Sequence, residues 1–255
     1  MDRQPLTDRL GNRLLAEYGG AAAAYSFRAL NGNGDNVVRV RRSSDDAEQD
    51  FTAAEVSDGT LESFCGVGDG FVVRIYDQSG NGNDLIQATE AQQRKIVDTG
   101  SPVTEGGLPA MSGNAYAMQM GSSVALTSGF TVLFLANAQN TKAFLGGSGV
   151  NPRFRFTQTD QFEIVAGNSS EINFDPETAS STNEFDGSRK LMVVYRDGSN
   201  NVTLNINSED TLDSPLANLT GNLTFTQAFA RTGDTNPFDN KFQELVIWNR
   251  DIRDD

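Results

Sequence analysis

The chain has 255 residues, 20 Lys and Arg against 34 Asp and Glu, a formal net charge of −14 and no histidine. That balance argues against nucleic acid and anionic membrane surfaces as partners, since both need a cationic face. The missing imidazoles exclude Ser-His-Asp and Cys-His catalysis and every histidine metal site, which leaves carboxylates, Tyr, Lys or a hard cation for any chemistry.

Met1-Asp2-Arg3-Gln4-Pro5 carries no apolar stretch of a signal peptide, so a product made in the cytoplasm is expected. Leu6, Leu10, Leu14 and Leu15 recur at helical spacing until Gly19-Gly20, and predict a short helix or attachment arm over residues 1–20. Ala21–Leu30 is small and apolar. Asn31–Asn36 reads as a turn, and Val37–Arg42 alternates as a strand. Arg41-Arg42-Ser43-Ser44-Asp45-Asp46 to Asp50 sets cations beside acids, either as a structural ion-pair cluster or as the polar wall of a saccharide cleft. Ser57–Cys65 predicts a helical turn. Its Cys65 has no second cysteine to pair with and reads as a buried thiol.

The next strand, Phe71–Tyr76, stops at Asp77-Gln78-Ser79-Gly80-Asn81-Gly82-Asn83-Asp84. Asp77, Ser79 and Asn81 match the first half of a calcium loop, but Ala88 stands where a bidentate Glu is needed, so an EF-hand is rejected. Two readings stay open: an Asx/Gly turn that satisfies its own backbone, and a Ca²⁺ site of another type. Beyond residue 100 nearly everything is strand and turn. Candidates are Tyr116–Met120, Phe130–Ala138, Lys142–Leu145, Arg153–Thr157, Phe162–Ala166, Lys190–Arg196, Val202–Ile206, Leu223–Ala230 and Lys241–Trp248. Strand alternation sets Phe242, Glu244, Val246 and Trp248 on one face and Gln243, Leu245 and Ile247 on the other, with Trp248 read as core. Many short strands without βα alternation predict one all-β sandwich over residues 21–255. Carboxylate pairs would have to come from Asp77, Asp84, Asp234, Asp239 and Glu244.

Ala23-Ala24-Tyr25-Ser26-x-Arg28-x-Leu30, Arg39–Asp46, Phe64-Cys65 and Ile75–Asn83 together resemble the N-terminal part of the catalytic domain of B-type α-L-arabinofuranosidases. Phe242–Arg250 resembles the closing strand of laminin-G-like, concanavalin A-type modules. Both resemblances imply a jelly-roll sandwich of two antiparallel sheets. The arabinofuranosidase family's general acid is an Asp in a Gly-rich loop before the closing strand, a position similar to Asp234 in Gly233-Asp234-Thr235-Asn236. Its nucleophilic Glu has no counterpart in Ala143–Asn151, which holds no carboxylate. A double displacement without its nucleophile cannot proceed.

The same motifs are similar to modules of tailed-bacteriophage structural proteins. The expectation is therefore a non-catalytic virion protein (capsid decoration, head fibre or tail-associated), homo-oligomeric, with a trimer expected. Its partners would be other virion proteins and a cell-surface glycan. Its ligand-binding residues would be Asp77, Ser79, Asn81, Asn83, Asp234 and Asn236, with no cofactor beyond a Ca²⁺ ion at the Asp77 loop. The alternatives are an arabinofuranosidase-type glycoside hydrolase, with Asp234 as acid, and a free carbohydrate-binding module.

Overall fold

The computed structural model describes residues 13–254, apart from 114–115, 140–142, 150, 158–160, 169–170, 175–185, 208, 213–217 and 231–237. Two antiparallel sheets pack face to face. The smaller runs β1 (Ala23–Ser26), β20 (Phe242–Trp248), β11 (Phe130–Gln139), β16 (Asp186–Arg196), β17 (Val202–Ile206) and β18 (Glu209–Leu212). The larger runs β15 (Glu171–Phe174), β14 (Phe162–Val165), β13 (Arg153–Phe156), β12 (Ala143–Gly146), β19 (Leu223–Ala228), β10 (Met118–Leu126), β5 (Leu85–Ile86), β4 (Gly70–Ile75), β2 (Asn36–Arg42) and β3 (Glu48–Thr52). β6 (Arg94–Asp98) adds to β4, and β7 (Ser101–Pro102) adds to β6, while β8 (Thr104–Glu105) and β9 (Leu108–Pro109) form a separate small hairpin. This is the predicted concanavalin A-like jelly-roll sandwich.

Strand alternation builds the core. Phe130, Val132, Phe134 and Ala136 of β11 point between the sheets, and Phe154, Phe156, Phe162 and Ile164 meet them from β13 and β14. The Phe134 and Phe144 rings stack at 4.1 Å, and Phe144 lies 5.8 Å from Phe154 and 5.6 Å from Phe162. Each such pair adds roughly 0.5–1.5 kcal/mol beyond the area it buries.

A second apolar cluster covers the outer face of the smaller sheet. Leu14, Ala21, Ala24, Leu30, Val246, Trp248 and Ile252 belong to it. Leu14 sits on helix α1 (Leu14–Glu17), so the described part of the N-terminal segment packs on the sandwich, and Trp248 Nε1 donates to Tyr18 O at 2.9 Å. Trp248 is fully buried, as read from the sequence. The face assignment of β20 needs correction at one residue. A register irregularity between Leu135 and Ala136 turns Phe242 inward, alongside Leu245 and Ile247.

The helical turn predicted over Ser57–Cys65 is helix α3 (Thr60–Cys65), and a further short helix not read from the sequence, α2 (Ala53–Ser57), precedes it. A capping box starts α2: Glu55 N donates to Thr52 Oγ1 at 3.3 Å, and Thr52 N donates to Glu55 Oε2 at 2.8 Å. Among the described residues, no helix is long and apolar enough to cross a membrane.

Candidate functional site

The Asp77 loop and strand β1 form one unit. Asp77 Oδ1 accepts from Ala24 N at 2.8 Å and Ser79 N at 3.0 Å, and Oδ2 accepts from Ser79 Oγ at 2.8 Å and Asn83 N at 3.0 Å. An aspartate offers about four lone-pair sites, and four donors fill them. Asn81 Nδ2 donates to Ala21 O at 2.9 Å and to Ser79 Oγ at 3.1 Å, Asn83 Nδ2 donates to Ala22 O at 3.2 Å, and Tyr25 Oη donates to Asn83 O at 2.5 Å. Gln78 binds the same segment, accepting from Leu30 N and donating to Ser26 O and Arg28 O. The turn needs Gly80 and Gly82 at φ +88° and +71°.

This donor set does not fit a hard cation. The carboxylate is filled by protein donors, and Asn81 turns its nitrogen toward Ser79. Among the described residues, no group of three or more His, Cys, Asp or Glu could hold a metal ion.

Most other described carboxylates singled out from the sequence are held by cations. Asp84 accepts from Asp77 N at 2.9 Å and pairs with Arg74 at 3.1 Å. Glu244, 1% exposed, accepts from Ser26 Oγ at 3.0 Å and from Arg28 Nε and NH2 at 2.7 and 2.9 Å. The Arg-Arg-Ser-Ser-Asp segment is a ladder of ion pairs across β2 and β3. Arg39 forks onto Asp50 at 2.7 and 2.8 Å, Arg42 onto Asp45 at 2.7 Å twice, and Arg41 onto Asp46. The Arg39 hydrogen bond holds the Asp50 carboxyl below its ordinary value, against the opposing effect of burial.

Asp234 and Asn236 lie outside the described residues, but the stems of their loop are fixed. Phe229 N donates to Phe144 O at 2.8 Å, and Phe238 N donates to Phe229 O at 2.8 Å and Ala143 O at 3.3 Å. Arg94, 1% exposed, donates to Phe238 O, to Gly113 O at 3.0 Å and to Tyr116 O at 3.3 Å, with its guanidinium 4.8 Å over the Phe229 ring. Burial pushes Arg94 down to about 9, against the charge of Asp239.

One carboxylate was not singled out from the sequence. Glu163 of β14 alternates with Phe162 and Ile164, which enter the core, so it stands on the outer face of the larger sheet. It pairs with Arg153 at 2.5 Å and Arg155 at 2.7 Å, and its side chain is 4% exposed. Burial pulls its carboxyl upward, but hydrogen bonds and charge from the two arginines outweigh this and hold it below the ordinary value, hence ionised. Register places Ala143, Arg155 and Glu163 in one row across β12, β13 and β14. The Phe238 stem therefore contacts this row two strand spacings, about 10 Å, from Glu163. In the sequence the signal is confined to Arg-Phe-Arg-Phe and Phe-Glu-Ile-Val, whose outward charges become complementary once the two strands are set in register.

A family model described as α-L-arabinofuranosidase B, catalytic, matches residues 16–141. Comparison with the sequences of curated proteins finds no relative. Among solved structures, an arabinofuranosidase complexed with arabinofuranosyl-α-1,2-xylobiose matches at 16% identity with TM-score 0.56, covering 93% of this chain and 61% of that one. A GH54 α-L-arabinofuranosidase soaked with a cyclic sulfate inhibitor matches at 14% identity with TM-score 0.57, covering 91% and 59%. A Glu-to-Gln mutant of a GH54 enzyme, soaked with 4-nitrophenyl α-L-arabinofuranoside, matches at 15% identity with TM-score 0.54, covering 91% and 59%. The chain thus spans about 60% of the length of these structures. These matches correct the expectation of a non-catalytic virion protein, because the matching family model is that of a catalytic domain and the matching folds are arabinofuranosidases. Ala143–Asn151 holds no carboxylate, but the adjoining β13–β14 hairpin of the same sheet carries Glu163. In sequence over residues 16–141, and in fold over 93% of its length, the chain is similar to α-L-arabinofuranosidase catalytic domains.

Proposed function

We propose that this chain is a glycoside hydrolase domain of the α-L-arabinofuranosidase type, with Glu163 as nucleophile and Asp234 as general acid. One observation carries the reading. An ionised glutamate stands on the outer face of the larger sheet, in the row that anchors the loop bearing Asp234. The similarity to arabinofuranosidase catalytic domains supports the substrate class.

In this reading Glu163 attacks the anomeric carbon while Asp234 protonates the departing glycosidic oxygen, and a water then releases the sugar from Glu163 with Asp234 as base. Arg153 and Arg155 keep Glu163 anionic and offer N–H donors to sugar hydroxyls.

The test is release of 4-nitrophenol from 4-nitrophenyl α-L-arabinofuranoside. E163Q is expected to lose at least about 1,000-fold in kcat. E163A should regain turnover with azide, which replaces the carboxylate and yields an arabinosyl azide. D234N should lose activity on arabinoxylan more than on the aryl substrate, whose leaving group needs little protonation. No turnover by the wild-type chain, or an E163Q variant as active as wild type, refutes the reading.

A further inference from the structure

The outer face of the larger sheet carries a second feature, a groove of about 570 Å³ between β5 and the segment entering β10. Tyr116, Gln87, Thr89, Gln92 and Gln119 line it, with Ile86 at its floor. Three properties set it apart. Tyr116 is 45% exposed, in a chain whose described Phe and Trp side chains are mostly in the core. Among the described residues no Asp, Glu, Lys or Arg lines the groove, although the chain has 20 basic and 34 acidic residues. Its polar side chains are the three glutamine amides and the hydroxyls of Thr89 and Tyr116, which both donate and accept.

The walls are pre-set. Gln87 Nε2 donates to Ala117 O at 2.6 Å, and Gln87 Oε1 accepts from Thr89 N at 3.0 Å. Gln119 Nε2 donates to Gln227 Oε1 at 3.1 Å, which spends one of its two amide hydrogens. The buried Arg94 holds the Tyr116 carbonyl. The backbone that carries Tyr116 is thus held at its carbonyl, and the exposed ring on it offers a face for stacking against a flat apolar ligand surface.

We infer that this groove is a binding site for an uncharged pyranose oligosaccharide, which stacks a sugar ring on Tyr116 and hydrogen-bonds its hydroxyls to the glutamine amides. A polyanion finds no cation there, and a metal ion finds no carboxylate. Sugars present apolar C–H faces and paired donor-acceptor hydroxyls, the complement of an aromatic ring flanked by amides. Four strand spacings, roughly 19 Å, separate β10 from the β14 strand of Glu163 in the larger sheet, so the inference does not rest on arabinoside hydrolysis.

Isothermal titration of the purified chain with xylohexaose, cellohexaose and mannohexaose, and with oligogalacturonate as the charged control, tests the inference. Wild type is expected to bind at least one neutral hexasaccharide, with oligogalacturonate at least about tenfold weaker. Y116A should weaken the neutral ligand about tenfold without changing the melting temperature, Y116F should retain most of the affinity, and Q119A should lose about threefold. The inference is overturned if no neutral hexasaccharide binds at millimolar concentration, if Y116A binds as tightly as wild type, or if oligogalacturonate binds as well as the neutral sugars.

Discussion

Replacing Asp77 by Asn isolates what the central loop contributes to the fold. The carboxylate accepts from three backbone N–H groups and one hydroxyl. Asparagine keeps one accepting oxygen, which can serve Ala24 N and Ser79 N. Its Nδ2 then faces Ser79 Oγ, which already accepts from Asn81 N and Nδ2, and Asn83 N, which cannot accept. Stranding that N–H costs about 1–3 kcal/mol, and loss of charge assistance in the remaining bonds adds to it, for a total of roughly 2–3 kcal/mol. At about 2–4 °C per kcal/mol for a chain of this size, the melting temperature falls by roughly 5–10 °C. D77A removes both acceptor oxygens from the four donors but admits water, and roughly 3–5 kcal/mol is expected. Urea unfolding followed by the fluorescence of Trp248, fully buried in the native state, reads both variants without any sugar present. Millimolar calcium or chelator should leave the wild-type curve in place. A D77N variant within about 0.5 kcal/mol of wild type refutes the structural role assigned to the carboxylate.

Glu163 makes stability depend on pH with a defined sign. Its folded-state carboxyl lies below the ordinary value, so its pairing stabilises fully above the unfolded-state range and is lost as pH falls through the folded-state value. Urea unfolding of wild type and E163Q from about pH 7 down to about pH 3 should show their difference shrinking toward acid, and a constant difference contradicts the assignment. E244Q keeps the shape and the Ser26 contact but leaves Arg28 without its counter-charge. With Arg28 24% exposed, the cost is discounted to about 2–3 kcal/mol, read from the same unfolding curves. Burial pushes the Cys65 thiol up to about 11, so native-state labelling by Ellman's reagent near pH 8 should be about 100-fold slower than labelling in urea.

The later strands were legible because their apolar residues alternate. Val202–Ile206 matches the predicted bounds, and Phe130–Gln139, Arg153–Phe156 and Phe162–Val165 match within a residue. The elements not read as strands lack that signal. Ala23–Ser26 is buried on both faces and made of small residues, while Glu48–Thr52 is a polar edge strand whose acids pair with β2 across the ladder. The inward turn of Phe242 depends on an irregularity in its pairing with β11, which no local pattern in β20 announces. For the candidate site, the Asp77 loop stood out by its residue types, but their partners are backbone groups some 60 residues earlier, visible only once β1 is in place. Glu163 went unnoticed because a lone acid in an apolar strand looks incidental until its register with Arg155 is known.

Ala23 pairs with Ile247, so the first strand of the smaller sheet finds its ladder partner only more than 200 residues later in the chain. Until β20 has been made, β1 has no neighbour to complete it, and an unpaired edge of this kind invites aggregation. The side chains of Asp77, Gln78, Asn81 and Asn83 reach the backbone of residues 21–30 without using any β20 group. Once residue 84 has left the ribosome, they can park that edge against the nascent larger sheet. Weakening them would then lower the yield of soluble protein during synthesis more than it lowers the stability of molecules already folded.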